Sequence, residues 1–322
     1  MNVRRRPLIP MAAVTALGLA ALTACSTDTG SGSGAAGNTD RFDVVASFYP
    51  MQFLAERIGG DLVNVTTLTE PGQEPHDLEL SARQTARMGE ADAVLYLKSL
   101  QPAVDEAVAQ SEVGTKIDAA SLTTLESHGG AGHSHEGDGG HEGEEGSGDA
   151  LDPHVWLDPV KYAEIAEGVG AAFAKADPDH AADYRKNTET LTGELDALDA
   201  RFTEGLKNTG TKVFFTNHSA FTYLAERYGL TQEAINGLDP ESEPSPARIK
   251  ELQDEARADG VTTVFYETLV SDETAKTLAA DAGLRTDVLD PVEGITDRSK
   301  GDDYLQVMDA NLAALKQALG SR

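Results

Sequence analysis

The chain lacks a second cysteine: Cys25 is the only one among 322 residues, so no intrachain disulfide can form. Basic residues are also scarce, with 26 Lys and Arg against 54 Asp and Glu and a formal net charge of −28. This acidic excess argues against nucleic acid as a partner and against charge-driven adhesion to anionic lipid. It would instead raise the local concentration of cations.

The N-terminal region lacks an apolar run long enough to span a membrane. Three arginines at 4–6 precede the run Leu8 to Ala24, which Pro10 interrupts, so residues 1–24 are predicted to be a secretory signal peptide. The small residues before Cys25 resemble a bacterial lipobox, which implies a lipid-modified N-terminus there. Residues 25–40 are rich in Gly and Ser and are predicted to form a flexible tether. We therefore expect an extracytoplasmic protein, anchored to the outer face of the cell membrane.

Beyond the tether, short β-rich runs alternate with helical patterns, which is typical of α/β folds with parallel sheets. The pattern predicts two α/β lobes with central, mostly parallel sheets, at residues 41–178 and 209–322. Residues 179–208 are predicted to form one long helix that joins the lobes. Its apolar residues recur at helical spacing: Leu191, Leu195, Leu198, Phe202 and Leu206.

A low-complexity segment at residues 126–150 interrupts the first lobe and contains Gly, acids and histidines with few large apolar residues. Such a segment cannot bury a core, and we expect it to be a disordered loop. Imidazoles among carboxylates suit zinc, although a polar surface insert with incidental histidines is the alternative. Because glycine-spaced chain cannot preorganise a tight site, we predict an auxiliary metal-collecting role for its histidines: His128, His133, His135 and His141.

The best-defined candidate ligand in the first lobe is His76. It follows a predicted strand in a loop that two prolines and a glycine stiffen, so its imidazole would be held on a preset backbone. Asp77 or Glu79 could orient the ring, as metal-bound histidines usually require. A simple surface turn is the alternative.

Two further histidines occupy comparable positions. His154 lies between two Asp-Pro pairs, the second of which predicts a helix N-cap with proline at the first helical position. Its alternative role is a core histidine packed on Trp156. His218 lies at a strand-to-helix junction in the second lobe. With His76, these residues outline one cleft between the lobes, and three neutral imidazoles suit zinc.

The fourth ligand stays open at this level. Glu293 and Asp290 both lie in the loop after the last predicted strand, and Glu74 lies beside His76. We prefer Glu293, because Gly294 would allow close backbone approach and Asp290 before a proline is well explained as a turn former. Water is the remaining candidate.

Four motifs together resemble the ZnuA/TroA-type metal-binding lipoproteins that serve ABC importers: PGQEPHDLELSARQ, DPHVWLDP, NHSAFTYLAERYGL and LDPVEG. The resemblance implies a two-lobe fold with a linking helix and a metal at the lobe interface, carried by His76, His154 and His218. Manganese-selective relatives commonly have a carboxylate in place of the third histidine, so His218 favours zinc. The implied function is a monomeric, non-enzymatic receptor that captures Zn²⁺ and delivers it to an ABC-type permease.

Three other functions are alternatives to this one. A receptor of the same type for manganese or another divalent metal is the nearest, since copper or nickel would also bind an isolated site of this kind. A zinc hydrolase is less consistent with the sequence, which has no His-Glu-x-x-His motif and no evident nucleophile with its base. A surface adhesin on the same fold is the third.

Overall fold

In the computed structural model, the described residues are 41–128 and 151–321. Their first part forms a parallel four-stranded sheet in the order β2-β1-β3-β4. Its elements are β1 (Phe42–Ala46), α1 (Tyr49–Gly59), β2 (Val63–Thr67), α2 (Ala82–Glu90), β3 (Ala93–Tyr96), α3 (Pro102–Gln110) and β4 (Thr115–Asp118). The predictions for the signal peptide, Cys25, the tether, His133, His135 and His141 lie outside the described residues. No helix within those residues is long and apolar enough to cross a membrane.

A second parallel sheet, in the order β6-β5-β7-β8, follows two long helices. The helices are α4 (Pro159–Ala176) and α5 (Ala181–Leu206). The remaining elements are β5 (Val213–Thr216), α6 (Thr222–Arg227), β6 (Thr231–Ala234), α7 (Pro246–Ala258), β7 (Thr263–Tyr266), α8 (Glu273–Ala282), β8 (Arg285–Val288) and α9 (Tyr304–Ala318). The predicted fold class, two parallel-sheet α/β lobes joined by a long helix, is confirmed.

Two strands were not expected from the sequence, and both are sheet edges. β4 reads Thr-Lys-Ile-Asp and β6 reads Thr-Gln-Glu-Ala, so neither has the apolar run that marked the central strands. An edge strand pairs on one side only and can keep polar side chains in solvent. These two segments are strands because β3 and β5 offer them backbone partners, which a local pattern cannot reveal.

α5 lies in a core that is continuous with both lobes, since its buried apolar stripe belongs to the same cluster as residues of β1 and α9. The helix packs most extensively on α4. The two backbones approach so closely that a Cβ built on Gly170 would lie 2.1 Å from Thr188 Oγ1. Gly170 is therefore needed for this helix pair to pack.

The start of α4 confirms the predicted cap. Asp158 is the N-cap, its side chain accepts from the backbone N–H groups of Val160 and Lys161, and Pro159 occupies the first helical position. A short 3₁₀ turn at Val155–Leu157 precedes it. Residue 154 is thus held on a short, capped turn at the entry to a buried helix.

Candidate metal centre

Four side chains from separate segments converge on one point. His76 follows β2, His154 precedes α4, His218 follows β5 and Glu293 follows β8. Their ligand atoms all lie within 4.8 Å of one another. Three of the four come from loops at the carboxyl ends of parallel strands, which is where open α/β sheets bind ligands. The structure thus brings together the four residues that the sequence nominated.

Five of the six distances between the donor atoms are close to the edges of a tetrahedron around zinc. His154 Nε2 lies 3.4 Å from His76 Nε2 and 3.4 Å from His218 Nε2. Glu293 Oε1 lies 3.3, 3.5 and 3.6 Å from the Nε2 atoms of His76, His154 and His218, respectively. An ion bonded at about 2.0–2.1 Å to four tetrahedral donors separates them by about 3.3–3.4 Å. The centre therefore fits one tetrahedral ion with protein donors alone.

His154 is fixed by Asp152. One carboxylate oxygen, Oδ1, accepts the backbone N–H of His154 at 2.9 Å and lies 2.7 Å from its Nδ1. Both side chains are fully buried. A proton on Nδ1 directed at this carboxylate leaves the Nε2 lone pair facing the other donors. Asp152 thus sets both the ring orientation and the tautomer.

The ring of His154 also packs on Trp156, with ring centroids 5.2 Å apart. His154 can therefore be a metal ligand and a core residue at the same time. The Trp156 indole donates to the carbonyl oxygen of Pro291 at 2.7 Å. This bond ties the His154 segment to the loop that carries Glu293. The tryptophan therefore helps to fix the positions of the two ligand segments relative to each other.

His218 has an equivalent partner in Glu267. Glu267 Oε1 lies 2.7 Å from His218 Nδ1 and accepts its backbone N–H at 3.2 Å. Glu267 directly follows β7, which pairs with β5, and only 3% of the residue is exposed. Sequence reasoning missed this residue, although an acid at the carboxyl end of a buried strand was a usable signal.

His76 is the most exposed of the four, with 13% of its side chain accessible. Its Nε2 faces Glu293 and His154. Asp77 and Glu79, which were expected to orient it, are exposed. Glu74, a candidate fourth ligand, is not among the four clustered donors, and burial raises the pKa of its carboxyl group.

Asp290, the other candidate for the fourth position, has its oxygens engaged elsewhere. Oδ1 accepts the backbone N–H of Val292 at 2.8 Å, and Oδ2 accepts the hydroxyls of Thr268 at 3.1 Å and Ser299 at 3.0 Å. Asp290 therefore shapes the loop, as a turn former should. Glu293 is the carboxylate that faces the imidazoles.

The unusual backbone in this loop is at Val292. Its φ of 59° lies in the left-handed region, which a β-branched residue rarely adopts and which costs about 1–3 kcal/mol. Gly294, by contrast, could accept a Cβ, since the nearest atom would be a Leu269 methyl at 3.5 Å. The constrained backbone of this loop therefore lies at Val292, directly before Glu293, and the close approach expected at Gly294 is absent.

Burial alone would lower the pKa values of the histidines at the centre, but the neighbouring carboxylates have the larger effect on His154 and His218. Asp152 and Glu293 raise the pKa of His154, and Glu267 and Glu293 raise the pKa of His218 well above its ordinary value. Burial would likewise raise the pKa of Glu293, yet the surrounding imidazoles hold it well below its usual range. Because the pKa values of His154 and His218 are raised, an incoming cation competes with protons for these two imidazoles.

His128 lies away from the four-residue cluster, but it is not a free loop position. Its Nδ1 lies 2.7 Å from Asp152 Oδ2, and its ring packs edge-on against Tyr223 with centroids 4.4 Å apart. Only 9% of its side chain is exposed. The first residue of the expected collecting set is therefore docked on the carboxylate that orients His154.

Proteins of similar sequence and similar fold are known. The family model described as ZnuA, the periplasmic component A of a zinc-uptake complex, matches residues 44–318. The zinc-binding lipoprotein AdcA of Streptococcus pneumoniae is 36% identical over 283 residues, which cover 86% of this chain and 56% of that protein. The high-affinity zinc uptake protein ZnuA of Bacillus subtilis is 32% identical over 304 residues, which cover 92% of this chain and 93% of that protein. The crystal structure of the Zn(II)-bound ZnuA-like domain of S. pneumoniae AdcA superposes with a TM-score of 0.72 at 33% identity, covering 87% of this chain and 99% of that one. The chain thus spans little more than half the length of the streptococcal lipoprotein.

Proposed function

Because the chain belongs to the ZnuA family, we propose that it captures Zn²⁺ outside the cytoplasm and delivers it to an ABC-type permease for uptake. The observation that carries this proposal is the convergence of three buried donors and one largely buried donor at distances close to the edges of a zinc-sized tetrahedron. Zinc is the cargo, and the protein supplies a site shaped for it.

The donor set favours zinc over manganese. Three imidazole nitrogens and one carboxylate oxygen suit a borderline cation that accepts four ligands, whereas manganese prefers oxygen donors. His218 is decisive among them, because a carboxylate there would shift the set towards oxygen. Its buried bond to Glu267 raises the basicity of the ring and hence its value as a zinc ligand.

A receptor fits this geometry better than a zinc hydrolase does. A catalytic zinc keeps one position open for water or substrate. Here Glu293 Oε1 lies within 3.6 Å of all three Nε2 atoms and fills the fourth corner. Four protein ligands leave no coordination position for water or substrate, which suits an ion that is bound and later released unchanged.

Location and assembly belong to the same proposal. We infer that Cys25 carries a lipid that anchors a monomer to the outer face of the cell membrane, with residues 26–40 as the tether. The lipobox-like sequence and the name lipoprotein in the streptococcal relative support this. His133, His135 and His141 are proposed to gather zinc near the receptor, with lower affinity than the main centre.

The binding proposal is tested by titrating the metal-stripped protein with Zn²⁺ and Mn²⁺ against a competing chelator. We expect one tight zinc equivalent, much weaker manganese binding, and loss of the tight equivalent in His76→Ala. His180→Ala is the matched control, since His180 is half-exposed and bonds to Asp177 at 2.7 Å, away from the centre. Manganese binding as tight as zinc binding, or unchanged zinc binding in His76→Ala, would contradict the proposal.

Transport is tested in a deletion strain grown with a zinc chelator. The wild-type gene and the His180→Ala variant should restore growth, whereas His76→Ala should not. Normal growth of the deletion strain combined with lost surface attachment would favour the adhesin alternative. Removal of residues 129–148 should leave the tight equivalent intact and abolish weaker binding to the deleted histidines.

A further inference from the structure

Residues 152–158 carry one of the ligand histidines, and a helix of the second lobe, α6, holds this segment at both ends. The Tyr223 hydroxyl donates to the carbonyl oxygen of Asp152 at 2.9 Å. Arg227 Nε donates to Asp158 Oδ1 at 2.6 Å. Both side chains belong to α6, and residues four apart lie on one face of a helix. One face of α6 therefore contacts the start and the end of the segment.

Tyr223 fixes the start of the segment. Only 2% of the residue is exposed, and its hydroxyl also accepts the backbone N–H of Glu126 at 2.7 Å. The carbonyl group to which it donates belongs to Asp152, whose carboxylate lies 2.7 Å from His154 Nδ1. Tyr223 therefore fixes the backbone of the residue that orients His154.

Arg227 fixes the end of the segment. The Asp158 oxygen that it contacts also accepts the backbone N–H of Val160 at 2.8 Å, as the cap of α4. Arg227 Nε lies 3.4 Å from Asp199 Oδ1 on α5, which accepts the Tyr228 hydroxyl at 3.0 Å. Arg227 therefore joins α6 to the start of α4 and to the long linking helix.

α6 is also close in sequence to a ligand of its own lobe. His218 is followed by a 3₁₀ turn, Ser219–Phe221, and α6 begins at the next residue. Phe221 and Leu224 are fully buried in the core that is continuous through both lobes. The position of α6 relative to His218 is therefore fixed by packing.

From these contacts we propose that Tyr223 and Arg227 are positioning residues that set the distance between His154 and His218. The Nε2 atoms of these histidines lie 3.4 Å apart. This separation is close to the edge of a tetrahedron whose bonds to a central zinc ion are about 2.0–2.1 Å long. Neither Tyr223 nor Arg227 is among the clustered donors, so each acts through the segment that it holds. The inference rests on the proposed zinc capture and assigns part of the zinc affinity to α6.

The competing explanation is that both residues stabilise the fold and have no effect on the centre. Tyr223→Phe tests this explanation, with Tyr162→Phe as the matched control. Tyr162 is buried, and its hydroxyl donates to the carbonyl oxygen of Pro50 at 2.6 Å. Each variant loses one buried hydrogen bond to a backbone carbonyl group, but of the two hydroxyls only that of Tyr223 bonds to residues 152–158.

Zinc affinity is measured by chelator competition on both variants. Co²⁺ bound in place of Zn²⁺ reports the coordination geometry, because its visible absorption is strong at a tetrahedral site and weak at a six-coordinate site. We expect Tyr223→Phe to lower the zinc affinity by about tenfold, as loss of a supporting partner does, and to weaken the Co²⁺ absorption. Tyr162→Phe should change neither quantity. Equal zinc affinities and equal Co²⁺ spectra in the two variants would overturn the proposal.

Arg227→Gln provides the same test if Tyr223→Phe does not fold. Its control is Arg201→Gln, since Arg201 on α5 bonds to Asp309 on α9 at 2.7 Å. A loss of zinc affinity in Arg227→Gln alone, with partial recovery in Arg227→Lys, supports the positioning role. Equal zinc affinities in Arg227→Gln and Arg201→Gln overturn it. Absence of a tight zinc equivalent in the wild-type protein would instead contradict the proposed function, so the two failures are distinguishable.

Discussion

Replacing Glu267 by Gln isolates the contribution of an orienting carboxylate. Glu267 is buried, contacts His218 through Nδ1 and the backbone N–H, and is not itself a ligand. Glutamine keeps the size of the side chain and can still accept a hydrogen bond. It removes the charge that makes the His218 ring a strong donor to zinc.

Loss of such a supporting group lowers metal affinity by about 10–100-fold, which corresponds to about 1.4–2.7 kcal/mol. The loss should depend on pH. Glu267 and Glu293 raise the pKa of His218 in the metal-free protein. In the wild-type protein, zinc therefore competes with a proton on His218 up to a higher pH. The variant loses part of this shift, and proton competition therefore begins at a lower pH. The affinity ratio between wild type and variant should be largest at alkaline pH and should shrink as the pH falls.

The assay is a chelator-competition titration of both proteins from weakly acidic to alkaline pH. The matched charge control is Glu204→Gln, which removes an exposed acid that lies 3.7 Å from Lys207. Circular dichroism establishes that the metal-free variant is folded. Equal zinc affinities for a folded Glu267→Gln and the wild type would refute the assigned orienting role. A deficit that grows as the pH falls would refute the proton-competition argument.

Two further predictions concern stability. The raised pKa values of His154 and His218 stabilise the metal-free protein below their ordinary value of 6.5, and this contribution is lost as the pH rises through the raised values. The lowered pKa of Glu293 stabilises it above 4.5 and is lost at lower pH. The increase in Tm on adding zinc should therefore grow with pH above neutrality in calorimetry, and an increase independent of pH would contradict this. Separately, Gly170→Ala should lower the free energy of unfolding by about 1–3 kcal/mol through overpacking. Gly193→Ala, at an exposed helical site with open space around it, should raise that free energy by about 0.5–1 kcal/mol in urea titrations; changes of the same sign would contradict the packing argument.

Much of the fold could be read from local patterns. The central strands β1, β3, β5 and β7 are apolar runs, and α5 carries its apolar residues at helical spacing. The edge strands β4 and β6 could not be identified in this way. Their sequences are short and polar, and their conformation depends on pairing with a neighbour that is distant in sequence.

The candidate ligands divide in the same manner. His76, His154 and His218 were recognisable because each lies in a loop beside a strand end or a helix start, and prolines flank His76 and His154. Glu267 and the orienting role of Asp152 were missed. Each acts through a contact with an imidazole, and the sequence does not show where a carboxylate oxygen points.

The sequence by itself determined the chemistry of the centre: three imidazoles on stiff loops, with a carboxylate available after the last strand. Only the tertiary structure decided which carboxylate faces them. The carboxylate of Asp290 accepts hydrogen bonds from Thr268 and Ser299, while Glu293 Oε1 faces the three imidazoles. The physical reason is convergence. Donors separated by up to 217 residues come within 3.3 Å only after both lobes have packed against the long helix, and no local pattern encodes that distance.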